Sequence, residues 1–105
     1  MEKVGPEVDR KILVRAIEAI FSTATIFLNK ELVQQMKQND KGYVPYKFIF
    51  QQEIFQKYLE DCGLKEELQE RKEYFQELVR NSIKTHSQLL WANHQGVRLL
   101  RLLHS

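Results

Sequence analysis

The chain has 105 residues, 43% of them hydrophobic, which is long enough for one globular domain but too short for two. This size excludes most enzymes that enclose a large cofactor, and the single cysteine, Cys62, excludes an internal disulfide. The formal net charge is only +2, so no whole-molecule field requires a nucleic-acid or membrane partner, and a ligand must be held by a local surface.

The first predicted element is an amphipathic helix that begins after Gly5-Pro6, since proline suits the first turn of a helix. Residues 1–8 are interpreted as a leader, and the folded domain spans residues 9–103. The helix carries one apolar stripe that is expected to face the core: Ile12, Leu13, Ala16, Ile17, Ile20 and Phe21. The hydroxyl side chains of residues 22–25 predict a break, because they compete for backbone hydrogen bonds.

A second, shorter helix is predicted to start at the cap residue Asn29 and to end near Gln38. Three of its apolar side chains are expected to point inward: Leu32, Val33 and Met36. Residues 39–42, Asn-Asp-Lys-Gly, have the chemistry of a turn in which Gly42 adopts a positive φ. The following Tyr43-Val44-Pro45 predicts a stub of edge strand, because proline cannot donate to a ladder.

Two longer helices and a hairpin complete the predicted secondary structure. Apolar spacing predicts a third helix over residues 46–59 with a stop at Gly63, and a fourth over residues 64–83. In the tail, residues 88–92 and 97–103 flank Asn-His-Gln-Gly, which suits a four-residue hairpin turn. The second flank is rich in leucine, so a terminal helix remains an alternative to the strand.

These elements indicate an α+β fold that is mostly helical. Three or four helices, a strand stub and a terminal hairpin are typical of a winged helix-turn-helix with a small antiparallel sheet. In this arrangement the C-terminal hairpin is the wing, and it pairs with the stub at Tyr43-Val44.

Four blocks of sequence, in this order and at these separations, are similar to those of a known family. The blocks are Ile17-Glu18-Ala19-Ile20-Phe21-Ser22, Lys30-Glu31-Leu32-Val33-Gln34-Gln35-Met36, Gly42-Tyr43-Val44-Pro45, and Ser87-Gln88-Leu89-Leu90 with Gly96-Val97-Arg98. From about Asp9 to Arg101 the chain resembles the La motif, the winged-helix module of La and the La-related proteins. The resemblance implies a winged-helix fold and the family's usual activity, which is binding of RNA 3′ ends, typically oligouridine.

Departures from the family pattern fall on its uridine-binding positions. The family's glutamine, two tyrosines, asparagine, aspartate and second-helix aromatic are replaced here, in that order, by Ala16, Ala19, Ile20, Thr25, Asn29 and Glu31. Recognition of single strands depends on aromatic platforms and hydrogen bonds to base edges. The resemblance therefore implies a La-like domain that has kept its fold and has lost or moved its usual RNA site.

The distribution of charge makes the C-terminal quarter the natural place for a polyanion to bind. That quarter contains four basic residues and no acidic residue: Arg80, Lys84, Arg98 and Arg101. With Trp91 they are predicted to form a surface that contacts phosphates, and Lys30 and Arg15 are further candidates. The alternative is that Arg98 and Arg101 are ordinary outer residues of a strand and that the tryptophan lies in the core.

Apolar residues support a second hypothesis, that of a protein–protein interaction module which reuses the La scaffold. The residues that suggest such an interface are Ala19, Ile20, Phe27 and the cluster Phe48, Phe50 and Phe55. They supply more apolar surface than one small core needs, and surplus apolar surface often marks an interface. The alternative is that these side chains fill the core.

Enzyme chemistry has little support in the sequence. His86, His94 and His104 match no common zinc spacing, and the chain has no glycine-rich phosphate loop. We therefore expect a monomeric, non-catalytic module without cofactor or metal. Its expected partner is RNA or a ribonucleoprotein subunit, not a membrane or a small-molecule substrate. The lone cysteine, and the lack of a signal sequence or long apolar run, indicate a nuclear or cytoplasmic location.

Overall fold

Short helices account for most of the chain and lead into one C-terminal hairpin. The computed structural model describes residues 8–100. Its elements, in chain order, are α1 (Arg10–Ile20), α2 (Thr23–Leu28), α3 (Lys30–Lys37), α4 (Tyr46–Phe50), α5 (Glu53–Cys62), α6 (Lys65–Glu70), α7 (Lys72–His86), β1 (Leu90–Asn93) and β2 (Gly96–Leu99). The two strands are antiparallel. The predicted class, α+β and mostly helical, is confirmed.

Helix α1 lies at the centre of the packing and contacts both α5 and α7. It begins after Asp9, whose carboxylate accepts hydrogen bonds from the N–H groups of Lys11 and Ile12. The predicted stripe is correct for most positions but wrong at Ile12, which is 49% exposed, whereas Val14 is buried. Because α1 is covered on two sides, its buried arc includes Val14 and leaves Ile12 at the solvent edge.

The predicted break after α1 is shorter than the run of hydroxyl residues that suggested it. Only Phe21 and Ser22 leave the helical path, and α2 begins at Thr23. The Ser22 hydroxyl accepts a hydrogen bond from the N–H of Thr25 at 3.3 Å, and the Thr25 hydroxyl donates to the carbonyl of Ala19 at 3.0 Å. The hydroxyl groups thus cap the end of one helix and the start of the next.

The predicted cap at Asn29 is confirmed, and its side chain also joins two distant segments. Its Oδ1 accepts from the N–H of Leu32 at 3.0 Å, and its Nδ2 donates to Oε1 of Gln52 at 2.9 Å.

We expect Asn29→Ala to lower the free energy of unfolding by about 2 kcal/mol, one part from the cap and one from the lost hydrogen bond. Asn29→Asp keeps the cap acceptor and should lose about half as much. Urea unfolding measures both, and equal losses would contradict this division.

Two helices predicted as continuous are each divided. The segment 46–59 breaks at Gln51 and Gln52 between α4 and α5, and the segment 64–83 breaks at Arg71 between α6 and α7. At the first break, the Gln52 side chain donates to the carbonyl of Phe48, so a glutamine amide replaces a helical hydrogen bond. The break lets Phe50 and Phe55 stack in the core with ring centroids 5.4 Å apart. The predicted stop at Gly63 is confirmed, with φ of 69°.

The C-terminal hairpin pairs with the strand stub, as predicted. Val44 and Val97 form an antiparallel bridge through two backbone hydrogen bonds of 2.7 and 3.0 Å. The four-residue turn is confirmed, with Asn93 opposite Gly96. The alternative of a terminal helix is wrong for residues 97–99, which are strand. The predicted leader up to residue 7 and the residues from 101 onward lie outside the described range.

Within residues 8–100 no single helix is long and apolar enough to cross a membrane. One sharply bent helical pair, Arg10–Leu28 with Lys30–Lys37, has the length and composition of a membrane span, and only these two properties suggest that role.

Candidate functional site

The outer face of the hairpin brings together three of the predicted RNA-contacting residues. Trp91 on β1 lies directly opposite Arg98 on β2, so both side chains leave the same side of the sheet. Lys84 reaches this side from the last turn of α7. Tyr43, from the strand stub, lies beneath Arg98. We call these four residues the hairpin face.

Trp91 is a partly exposed aromatic platform and not a core residue. It is 39% exposed, whereas its neighbours Leu90 and Ala92 point inward and are buried. The Lys84 ammonium lies 5.6 Å from the centre of the Trp91 ring, within the range of a cation–π contact. The alternative in which the tryptophan fills the core is therefore wrong, and part of its side chain is open to solvent.

Arg98 is held in place by a ring contact and a hydrogen bond of its guanidinium. Its central carbon is 5.7 Å from the centre of the Tyr43 ring, and its Nη1 donates to the carbonyl of Leu99 at 3.1 Å. Its Nε is buried and has no hydrogen-bond partner among the described residues. Because this Nε is closed to solvent, any phosphate contact of Arg98 must be made by its Nη groups.

Tyr43 is the member of the face that sequence reasoning did not assign to the site. Its ring is buried, and its hydroxyl accepts a hydrogen bond from Nδ2 of Asn93 at 2.9 Å. Asn93 in turn accepts at its backbone carbonyl from the hydroxyl of Tyr46, at 2.6 Å. These bonds fix the hairpin to the stub and to α4. The sequence marks Tyr43 only as part of the Gly-Tyr-Val-Pro turn and strand stub. Nothing in that motif indicates that Arg98 packs on the Tyr43 ring.

Burial raises the pKa of Tyr46 from 10.0 to about 12, and nearby Arg80 opposes part of this effect. The folded state therefore keeps the phenol proton at pH values where the unfolded chain has lost it. The free energy of unfolding should fall as the pH rises from about 10 toward 12, with little change below pH 10 from this group. Urea unfolding between pH 9 and 12 should show a smaller decline for Tyr46→Phe than for wild type. Parallel declines would contradict the assignment.

Arg80 is part of a different depression and not of the hairpin face. It lines a cavity of about 200 Å³ with Tyr46, His94 and the carboxylates of Glu73 and Glu77. Its guanidinium donates to Glu77 at 3.2 Å. An arginine that is already paired with a carboxylate is a poor phosphate ligand, so the predicted RNA-contacting role of Arg80 is not supported by its surroundings.

The remaining predicted RNA contacts are scattered. Arg15 is exposed on α1, and Lys30 is the first residue of α3. Among residues 8–100, no hydrogen bond, ion pair or cation–π contact joins either of them to the hairpin face. Arg101 lies outside the described residues.

The residues predicted to form a protein interface do not form one surface. Ile20 is completely buried, so its assignment to an interface is wrong, and Ala19 is half-buried. Phe50 and Phe55 are core residues, as the alternative for that cluster expected. Phe27, in contrast, is 83% exposed, and the adjacent Leu28 is 85% exposed. Of the residues predicted for the interface, only Phe27, at the C-terminal end of α2, is strongly exposed.

Where the resemblance would place the uridine pocket, the structure has a shallow cavity of about 480 Å³. It is lined by Thr25, Leu28, Asn29, Lys30 and Glu31. The Asn29 side chain already forms hydrogen bonds with the Leu32 N–H and the Gln52 side chain. None of the lining residues is aromatic. The cavity therefore lacks an aromatic surface on which a base could stack.

Metal chemistry finds no ready ligand set in the part of the chain that the structure describes, where no three His, Cys, Asp or Glu side chains come together to hold an ion. The exposed Cys62 follows Asp61 on the last turn of α5. The side chains that do converge are cationic and aromatic, which is the chemistry of non-covalent anion and base recognition.

Comparison with known proteins gives no match: no protein-family model, no curated protein and no solved structure is significantly similar to the chain. A function must therefore be inferred from its own residues.

Proposed function

We propose that the chain is a La-type winged-helix module, without catalytic activity, that binds single-stranded RNA through the hairpin face and not through the family's usual uridine pocket. The observation that carries this proposal is the alignment of Lys84, Trp91 and Arg98 on one side of the sheet, with the ring of Trp91 partly exposed. Two cations beside a partly exposed aromatic ring suit a strand whose bases stack and whose phosphates are neutralised.

The winged-helix assignment is supported by the position of the hairpin. It follows the longest helix, α7, and is bridged to the stub at Val44, so three extended segments lie side by side. The stub comes after α3 and its turn, where the La resemblance has the Gly-Tyr-Val-Pro motif. In a winged helix of this kind the hairpin presents its outer face to the nucleic-acid backbone.

Binding at the hairpin face follows from three contacts. A base stacks on the exposed part of the Trp91 ring, and the phosphates on its two sides meet the Lys84 ammonium and the Arg98 guanidinium. Two phosphate contacts to a single strand give a slope of about −1.4 in a plot of log affinity against log salt. Such a small basic surface corresponds to a Kd on the order of 1–100 µM.

The hairpin face is tested by fluorescence anisotropy with a labelled eight-nucleotide RNA at several salt concentrations. Trp91→Ala should weaken binding by about 5- to 100-fold, the range expected for the loss of one base stack. Lys84→Gln should lower the salt slope by about 0.7, the contribution of one phosphate contact.

Lys57→Gln is the matched control, since it removes the same charge from an exposed position on α5, which packs against α1, α4 and α6. It should bind RNA as the wild type does. An oligouridine with a free 3′-hydroxyl should bind no better than the same RNA with a blocked 3′ end. A strong preference for the free end, unaffected by Trp91→Ala, would contradict the proposal and favour the usual pocket.

The second candidate function is a protein-interaction module, favoured by the exposure of Phe27 and Leu28. Both are over 80% exposed at the end of α2, although each side chain is large and apolar. Exposed apolar surface of this kind marks interaction sites. A ribonucleoprotein subunit whose binding is insensitive to salt, and is lost in Phe27→Asp with the fold intact, would support this candidate.

A further inference from the structure

The cavity beside the hairpin face offers a place for a second nucleotide of the same strand. It has a volume of about 660 Å³ and lies between the C-terminal end of α3, the following turn and the end of β2. Its lining is Val33, Met36, Lys37, Asn39, Asp40, Lys41, Gly42, Arg98, Leu99 and Leu100. This volume is in the range of about 300–1,000 Å³ that is usual for small-ligand sites.

We propose that this cavity accepts one unpaired nucleotide of the bound RNA, with the base against its apolar wall and the phosphate on its basic rim. The inference rests on the proposed function, because Arg98 belongs both to the hairpin face and to the cavity lining. A strand that stacks on Trp91 and passes Arg98 reaches the cavity next. Base insertion into this position is separate from the uridine pocket that the La resemblance implies.

The apolar wall is suited to the flat face of a base. Val33, Met36 and Leu99 are each partly buried, and Leu100 is 44% exposed. An apolar wall that is neither filled by the core nor fully covered leaves contact surface that a base can occupy. Met36 adds a polarisable thioether, which makes favourable contacts with aromatic rings.

The rim carries the charge that complements a phosphate. The lining of the cavity contains three basic residues, Lys37, Lys41 and Arg98, and one acidic residue, Asp40. Neither lysine forms an ion pair with another described residue, and both are exposed. This excess of positive charge favours an anionic ligand over an uncharged apolar one.

The turn that forms one side of the cavity is held rigidly. The Asn39 side-chain oxygen accepts from the N–H groups of Lys41 and Tyr43, at 3.2 and 2.9 Å, and its Nδ2 donates to the Tyr43 carbonyl at 2.9 Å. Gly42 completes the turn with φ of 81°, a conformation that glycine adopts without strain. A preorganised turn lowers the cost of ordering Lys41 when a ligand binds.

The direct test uses the methyl group of Met36 as a probe, because the chain contains only two methionines and the other is Met1. The protein is labelled with ¹³C at the methionine methyl groups, and Met36→Leu assigns the signal. Addition of the eight-nucleotide RNA should shift the Met36 resonance by the ring current of the inserted base. The shift should saturate at the Kd measured by anisotropy.

A second measurement uses RNAs in which one abasic position is moved along the strand. Besides the position that stacks on Trp91, one more position should weaken binding by about 5- to 50-fold when its base is absent. The phosphate at the rim adds about −0.7 to the slope of the hairpin face, so Lys37→Gln with Lys41→Gln should lower the salt slope by about 0.7, whereas Lys57→Gln should not change it.

The outcomes separate this inference from the function on which it rests. RNA binding that depends on Trp91, with an unmoved Met36 resonance and only one sensitive base, would overturn the cavity and leave the hairpin face standing. Lack of RNA binding by the wild type would overturn both. A Met36 shift that appears on concentrating the protein without RNA would identify a second copy of the chain as the occupant and would overturn the inference.

Discussion

Replacing Ile20 with aspartate is expected to unfold the protein or to bring it to the edge of unfolding. The side chain is completely buried at the end of α1, in the same core cluster as Phe75 and Ile83 of α7. An aspartate there would place a carboxylate in an apolar environment without a partner and would leave a cavity. We expect a loss of more than about 4 kcal/mol, which is a large part of the total stability of a typical domain.

Phe27→Asp is the matched control for this variant. It makes the same kind of change, from a large apolar side chain to aspartate, at a position that is 83% exposed on the next helix. Its effect on the free energy of unfolding should lie within about 0.5 kcal/mol of zero. Circular dichroism and urea unfolding measure both variants. A folded Ile20→Asp variant with the stability of wild type would show that α1 presents a different face to the core.

Gly96→Ala should give the second large loss, of about 3 kcal/mol. Gly96 has φ of 147°, in a region that residues with a Cβ avoid. An alanine Cβ would also collide with the Val44 carbonyl group and lie 3.1 Å from Cα of Pro45. The stub cannot move away easily, because both hydrogen bonds of the Val44–Val97 bridge hold it against β2.

Gly63→Ala separates the effect of backbone conformation from that of the collision. Gly63 also has a positive φ, of 69°, but a Cβ at this position would meet no heavy atom within 4 Å. It should cost about 1–2 kcal/mol, the price of a left-handed conformation for alanine. Urea unfolding compares the two variants. If Gly96→Ala were no more destabilising than Gly63→Ala, the hairpin would not pack as closely on the stub as the structure indicates.

Features set by neighbouring residues were predicted well from the sequence. The Asn29 cap, the turn at Gly42, the stop at Gly63 and the hairpin turn all depend on side chains within a few residues, and all are confirmed. The breaks at Gln51–Gln52 and Arg71 were missed, because apolar spacing continues across both and no glycine or proline marks them. At the first break the Gln52 amide donates to the Phe48 carbonyl, a side-chain bond that apolar spacing does not indicate.

Burial was predicted less well, since it depends on which elements meet. Ile20 and Phe27 are both large and apolar, yet one is completely buried and the other is 83% exposed. Ile20 is buried because α1 contacts both α5 and α7, and these contacts cannot be read from the sequence of α1 and α2 alone.

The candidate site was predictable only in part. The hairpin register follows from its turn, so the pairing of Trp91 with Arg98 could be expected once the turn was recognised. The contact of Arg98 with Tyr43 joins elements far apart in the sequence, and that of Lys84 with Trp91 depends on how β1 leaves the end of α7. Arg80 shows the limit of counting charge by segment, because its partner Glu77 lies three residues earlier on the same predicted helix, a spacing at which side chains pair.

The most direct test of the hairpin face uses Trp91 itself, which is the only tryptophan in the chain. Its fluorescence should be measured during titration with unlabelled single-stranded RNA, at low and at physiological salt. Stacking of a base on the ring should quench the emission in a saturable way, with the Kd found by anisotropy and with weaker binding at higher salt. RNA binding that leaves the emission unchanged, or no binding at low salt, would contradict the proposal that this surface holds RNA.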